Sequence, residues 1–248
     1  MYRRLLLLFC SVAAILVLAG CSMDPAANPI DPANGIWDKF FVYPLSFSLD
    51  WFAKMFWGQY GLSILVVTII IRLIILPLSI KQYRSSKQMQ ALQPELRKLQ
   101  KKYKDNPAKQ QEETMKLFQQ HGVNPLAGCL PLLIQMPILI ALYHAIMRNS
   151  EISTHSFLWM ELGDRDPYYI LPLLAALTTF IQQQIMSAHM PGQTQMQALL
   201  IIFPILIFVM SMSFPSALPL YWVYSNIFTI VQSYFIYGKP RRKEGTAK

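Results

Sequence analysis

Gly61-Leu-Ser-Ile-Leu-Val-Val-Thr-Ile-Ile-Ile-Arg72-Leu-Ile-Ile-Leu-Pro-Leu-Ser-Ile80 is the stretch on which the reading of this chain turns. An apolar run of that length is what a helix needs to cross a bilayer core of about 30 Å. Arg72 nevertheless sits near its middle. From Arg72 to Lys81, where polar sequence resumes, a helix advances roughly 13 Å at 1.5 Å per residue. Snorkelling alone does not carry the guanidinium that far, and a charge held at such depth costs about 2.5–3.5 kcal/mol. Whatever offsets that cost defines what the chain does.

Composition agrees with a membrane setting. The chain has 248 residues, 54% hydrophobic and 14% charged, whereas charged residues in soluble domains run near 25%. Four further apolar stretches follow the first, so spans are expected at about 60–80, 126–147, 168–188, 196–213 and 217–237. The net charge of +9 does not point to nucleic acid, because of how it is distributed. Segment 81–125 carries ten Lys/Arg against four acids, and the tail 238–248 carries five bases against one acid. The loop 149–167 has Arg165 alone against Glu151, Glu161, Asp164 and Asp166. By the positive-inside rule, 81–125 and the tail are cytoplasmic and 149–167 lies outside.

The N-terminus gives an independent signal of the same orientation. Arg3-Arg4, an apolar run Leu5 to Leu18, and Leu18-Ala19-Gly20-Cys21 form a lipobox-like leader. Residues 1–20 are expected to be a removed signal peptide, leaving Cys21 lipidated on the outer face. Of the other cysteines, Cys10 lies in the leader and Cys129 starts an apolar run; neither suggests a disulfide framework or a metal site. Residues 21–59 are expected to hold a Pro-rich tether and then a helix in the outer interface. Trp37, Phe40, Phe41, Tyr43, Phe47, Trp51, Phe52, Phe56 and Trp57 alternate there with Asp38, Lys39, Asp50 and Lys54. Pro44 is expected to break the helix pattern, and Asp50 and Lys54 are spaced as i,i+4 partners.

In the basic segment, Met89, Leu92, Leu96, Leu99 and Tyr103 recur at 3-4-3-4 spacing, a narrow coiled-coil stripe. Asp105-Asn106-Pro107 gives a turn, Met115, Leu117 and Phe118 mark a return helix, and Gly122 and Pro125 end it. This predicts a cytoplasmic two-helix hairpin. It serves either as a basic paddle for partners and lipid headgroups or as a solvated loop that obeys the charge rule.

Several chemistries are disfavoured. There is no phosphate-binding Gly-x-x-x-x-Gly-Lys-Ser/Thr loop, and His121, His144, His155 and His189 lie apart with no metal-ligand spacing. No carboxylate falls in any of the five spans, whereas proton- or cation-coupled transporters usually carry one and a Ser-His-Asp or paired-aspartate intramembrane protease needs one. No cofactor, metal or catalytic residue is expected. What remains is a set of neutral polar side chains. Thr68 is one turn from Arg72, Gln135 lies in the second span, Thr178 and Gln182 share a face of the third, and Trp222 and Asn226 share a face of the fifth. Each singly could be an interhelical hydrogen bond. Together with an arginine lacking an acidic partner, they suggest a water-containing, anion-attracting cavity. A small-anion channel or transporter is the alternative use of such a cavity.

Tyr60-Gly-Leu-Ser, Ile71-Arg72-Leu, Leu76-Pro77-Leu, Met89-Gln-Ala-Leu-Gln-Pro94, Asn124-Pro125-Leu-Ala-Gly-Cys, Gln135-Met-Pro137 and Leu220-Tyr-Trp222 together resemble the YidC / oxidase-assembly / albino family of membrane protein insertases. The likeness runs from about Trp37 to Tyr237, and the lipobox resembles the Gram-positive form. The resemblance implies an all-α membrane protein with five transmembrane helices around a hydrophilic groove, a cytoplasmic helical hairpin and an extracellular interfacial helix. The core would be 60–237, with the hairpin at 81–125 and a basic cytoplasmic tail at 238–248. By position, Arg72 matches the family's groove arginine, and Gln135, Gln182 and Trp222 fall where the family lines its groove. The implied activity is insertion, folding and assembly of integral membrane proteins, beside the Sec translocon or without it. The implied partners are nascent membrane proteins, the Sec translocon, the ribosome and signal recognition pathway components through the hairpin, and membrane lipids, with no nucleic acid bound directly.

Overall fold

A computed structural model describes residues 29–33, 35–123, 130–188 and 194–237. The leader, Cys21, the Asn124–Cys129 motif, the linker 189–193 and the tail 238–248 lie outside the described residues. Nine α-helices are described: α1 Tyr43–Met55, α2 Tyr60–Ala91, α3 Gln93–Lys102, α4 Pro107–Gln120, α5 Leu130–Arg148, the single turn α6 Ser150–Ser153, α7 Ile170–Ala188, α8 Thr194–Ser211 and α9 Ala217–Tyr237.

α2 is the longest, 32 residues or about 48 Å. It therefore exceeds a bilayer core, passing through Pro77 and continuing to Ala91. The apolar stripe expected on one helix is divided between two. Met89 belongs to α2, and the break falls at Leu92, with Pro94 in the first turn of α3, where its missing N–H is harmless. α3 and α4 then close on Leu92, Leu96, Leu117, Phe118 and Val123, with Met89 and Leu99 alongside. Asn106 caps α4, its side chain accepting from the Lys109 amide at 3.1 Å.

Pro44 does not break the aromatic helix. A π-helical turn, Asp38–Val42, leads into α1, and Pro44 occupies its first turn. In that wider turn the Tyr43 N–H bonds back to the Asp38 carbonyl, and a proline follows in a place that needs no donor. Asp50 also does not pair with Lys54. Its carboxylate accepts from the Tyr60 hydroxyl at 2.9 Å and from Asn149 Nδ2 at 3.0 Å.

The Tyr60 end of α2 meets α1, α6 and the segment that follows α6. Each residue of Tyr60-Gly-Leu-Ser except Leu62 has a structural use there. The Tyr60 hydroxyl lies within hydrogen-bond distance of both Asp50 and Glu151. A Cβ on Gly61 would lie 2.3 Å from the Phe157 ring, so only glycine lets that ring rest on the helix. Ser63, fully buried, donates to the Leu49 carbonyl at 2.6 Å and fastens α1 to α2. The segment expected as a polar loop also contains α6 and a two-residue hairpin, β1 Ser156–Phe157 with β2 Met160–Glu161, paired antiparallel as Ser156↔Glu161 and Phe157↔Met160. Asp166, buried, accepts from the Leu171 N–H at 2.6 Å and Trp159 Nε1 at 3.0 Å, so it caps α7 and holds the hairpin to it.

The main core joins α1, α2, α5 and the start of α9 through Leu49, Ile64, Val67, Leu142, Ile146, Leu218 and Tyr221. A smaller cluster of Ala175, Ile207 and Val223 joins α7, α8 and α9. α9 contributes to both, and so does α7, whose Leu171 reaches the main core. Outward-facing apolar side chains are abundant, including Leu73 and Ile74 on α2, Leu173 and Leu177 on α7, Ile201, Ile202 and Ile205 on α8, and Val231 and Phe235 on α9. By length and composition, α2 and Ile170–Ser187 of α7 each suffice to cross a membrane, and Ile134–Arg148 and Leu200–Ser211 are shorter apolar stretches.

Candidate functional site

Arg72 lies twelve residues beyond the first residue of α2, directly after Ile71, which packs against the main core, and five residues beyond Val67, which belongs to it. Its Nε donates to Ser225 Oγ of α9 at 2.9 Å, and Nη2 donates to the same oxygen and, at 3.2 Å, to Gln135 Oε1 of α5. Gln135 turns its own amide outward from this pair, donating from Nε2 to the Tyr221 hydroxyl of α9 at 2.8 Å. Three helices thus meet at one guanidinium through neutral groups. Hydrogen bonds to a charged group contribute about 1.5–3 kcal/mol each, comparable to the cost of holding the charge at depth. Among the described residues Arg72 has no carboxylate partner, the three ion pairs being Lys116–Glu112, Lys116–Glu113 and Arg148–Asp38. Nη1, the far arm of the fork, has no hydrogen bond to described residues.

Toward the Tyr60 end the site is closed. An apolar crevice lined by Ile64, Val67, Thr68, Ile71, Leu142 and Tyr221 is too narrow to hold a water molecule. Thr68 belongs to that dry interior. It is buried and donates to the Ile64 carbonyl at 2.6 Å, so it does not face Arg72 across a wet space.

The remaining residues expected from sequence divide into a second group. Asn226 Nδ2 donates to Thr179 Oγ1 at 2.8 Å and Thr178 Oγ1 at 3.0 Å, on α7. Asn226 and Thr178 therefore hold each other and not Arg72. Trp222 is partly buried and packs against both apolar clusters. Gln182 is partly exposed four residues further along α7 from Thr178, while the neighbouring Gln183 has its Oε1 buried without a partner among the described residues.

Ser225, Tyr221 and Thr179 were missed from sequence. A signal was available, because Tyr221 and Ser225 form an i,i+4 stripe directly beside Trp222 and Asn226. Successive residues on a helix are turned by roughly 100°, so the two stripes face different neighbours. Periodicity alone does not say which stripe faces which helix.

Long helices with apolar flanks exposed on several sides, crossed by polar groups that bond largely to one another, fit a helical membrane protein. A family model described as 60Kd inner membrane protein matches residues 51–243, and the chain belongs to that family. It is 55% identical over 246 residues to "Membrane protein insertase MisCA" of Bacillus subtilis (strain 168), covering 97% of this chain and 94% of that one. It is 53% identical over 257 residues to "Membrane protein insertase YidC 2" of Bacillus anthracis, covering all of both. Among solved structures it is similar to "Active YidC insertase crystal structure with the first transmembrane domain resolved", with a TM-score of 0.67 and 29% identity. That match covers 82% of this chain and 47% of the solved one, so this chain spans about half its length.

Proposed function

We propose that the chain is a membrane protein insertase and chaperone. It takes nascent membrane proteins from the cytoplasm and passes their apolar segments into lipid, beside the Sec translocon or alone. The observation that carries the reading is Arg72: a permanent positive charge on an apolar helix, steadied by Ser225 and Gln135, with one arm of its guanidinium uncommitted among the described residues. A charge with only neutral partners attracts an anion without being neutralised beforehand. The short acidic tail of a substrate supplies that anion, and attraction strengthens in a low-dielectric setting.

The architecture proposed with this function has five spans around a groove open toward the cytoplasm and lipid. The N-terminus is outside, lipidated at Cys21, and the C-terminus is inside. The exposed apolar flanks of α2, α7, α8 and α9 support lipid contact on those helices. The dry crevice between Arg72 and the Tyr60 end supports closure on the outer side. In this scheme Gln135, Gln182 and Trp222 line the groove. The α3–α4 hairpin receives substrates from the ribosome and signal recognition pathway components and touches lipid headgroups. The substrate's apolar segment leaves along α7 and α9, driven by burial at about 25 cal/mol per Å². The membrane potential, positive outside, assists the movement of negative charge outward. No covalent step and no cofactor enter this scheme.

The test is insertion of a single-span substrate with an acidic tail into vesicles. Arg72→Ala abolishes it and Arg72→Lys largely retains it, since lysine keeps a positive charge at that place on α2. Normal insertion by Arg72→Ala would overturn the mechanism.

A further inference from the structure

Ser225 and Asn226 are consecutive residues of α9 that point at two different helices. Ser225 receives Arg72 of α2, and Asn226 engages α7. Both are buried, at 2% and 5% exposure. We infer that Asn226 is a positioning residue for Arg72: by clasping Thr178 and Thr179 it fixes the rotation of α9 and so aims Ser225 at the guanidinium. The inference rests on the proposed reading of Arg72 as the charge that meets the substrate.

The clasp has a fixed polarity. The Thr179 hydroxyl proton is spent on the Ala175 carbonyl at 2.6 Å, and that of Thr178 on the Leu174 carbonyl at 2.7 Å. Both oxygens can then only accept, so α9 must bring a donor, and the carboxamide N–H groups of Asn226 supply two. The apolar contacts around it have no such directionality. Ala175 and Val223 share an apolar cluster one turn away, and such contacts tolerate a small rotation better than aligned hydrogen bonds do. The same rotation would carry Ser225 off Arg72, because both residues turn with one backbone. Hydrogen bonds lose strength steeply with misalignment, so at this level of α9 the clasp sets the angle more sharply than the apolar seam, as the Gln135–Tyr221 bond does one turn before Ser225.

This separates two roles for residues that sequence grouped together. Asn226 and Thr178 do not line the Arg72 site in the structure; they hold the helix that presents its partner. The effect on a substrate is therefore indirect, and it is specific to the charge. A substrate whose tail carries no acid does not use Arg72 and is indifferent to where the guanidinium points.

The experiment uses the full-length protein in lipid nanodiscs and vesicles. Arg72 is labelled with a water-soluble dicarbonyl and the rate read site by site by mass spectrometry, with the exposed Arg84 and Arg97 as internal references. Asn226→Leu should raise the Arg72 rate about threefold or more, as expected for loss of an interhelical hydrogen-bond anchor. The near-isosteric double variant Thr178→Val/Thr179→Val removes the clasp from the other helix, should give the same rise, and serves if Asn226→Leu fails to fold. In the insertion assay both variants should slow an acidic-tailed substrate about threefold to tenfold while changing an uncharged one less than about twofold. An Arg72 labelling rate unchanged in both variants, or equal slowing of both substrates, overturns the inference. If Arg72→Ala itself inserts acidic-tailed substrates normally, the functional reading fails, and the labelling rates still decide whether the clasp positions Arg72.

Discussion

Two arginines on this chain solve the same problem in opposite ways. Arg148, at the end of α5, is nearly buried, with 9% of its side chain exposed, and it pairs with Asp38 at 8%. Its Nη1 donates to Asp38 Oδ1 at 2.8 Å and its Nη2 reaches the Pro29 carbonyl at 3.0 Å. Arg72, deeper along an apolar helix, is held by a serine and a glutamine. The first charge is neutralised within the fold and ties the segment before α1 to α5. The second is steadied but keeps its charge. A fold that needed Arg72 only for structure would be better served by a carboxylate, as at Arg148. The proposed function of Arg72 rests on this difference: among the described residues it has no counter-charge.

Breaking the Arg148 pair on one side should have the largest effect on the folded state. Arg148→Met strands the buried Asp38 and should cost about 3–5 kcal/mol, whereas Arg148→Met with Asp38→Leu should recover most of it; thermal unfolding in detergent measures both. Arg72→Ala should behave in the reverse manner. It should leave unfolding unchanged or improve it slightly, since a charge at depth costs about 2.5–3.5 kcal/mol, while stopping acidic-tailed insertion. A variant of Arg72 that lost stability as Arg148→Met does would erase the distinction.

A pH series sharpens the same contrast with a smaller effect. The Arg148 guanidinium holds the Asp38 carboxyl below its usual pKa, mainly by direct hydrogen bonding. A lowered carboxylate pKa contributes stability that is fully present above the unfolded value and is lost as pH falls through the folded one. The unfolding temperature should therefore drop below about pH 4, and that component of the drop should vanish in Arg148→Met. Lys116, exposed on the hairpin between Glu112 and Glu113 at 2.8 and 2.9 Å, marks the weak extreme. Solvent screens such pairs, so Lys116→Ala should leave the unfolding temperature unmoved.

Much of the helical layout was legible because apolar runs and charge blocks act locally. α9 falls on the apolar run 217–237, and α4 follows the turn expected at Asp105-Asn106-Pro107. Pro44 was misjudged because a π turn, a feature of backbone spacing, absorbs it. The α6–β1–β2 region was missed because two-residue strands carry no periodicity. Its Phe157 rests on Gly61 from 96 positions away in sequence, and such a contact leaves no local trace. Asp50 was matched to Lys54 by spacing on one helix, yet Asn149 and Tyr60, from other elements, offered it better-placed donors.

At the site, sequence alone determined that an arginine would interrupt an apolar run and that no carboxylate would stand in those runs, because charge and hydropathy are properties of residues and their order. Which neutral groups would hold it was decided by tertiary structure. Ser225 and Asn226 are adjacent in sequence and chemically similar, but the angle at which α9 packs sends one to Arg72 and the other to Thr178 and Thr179. A helix repeats every 3.6 residues whatever surrounds it; its rotation about its own axis is set only by the neighbours it meets.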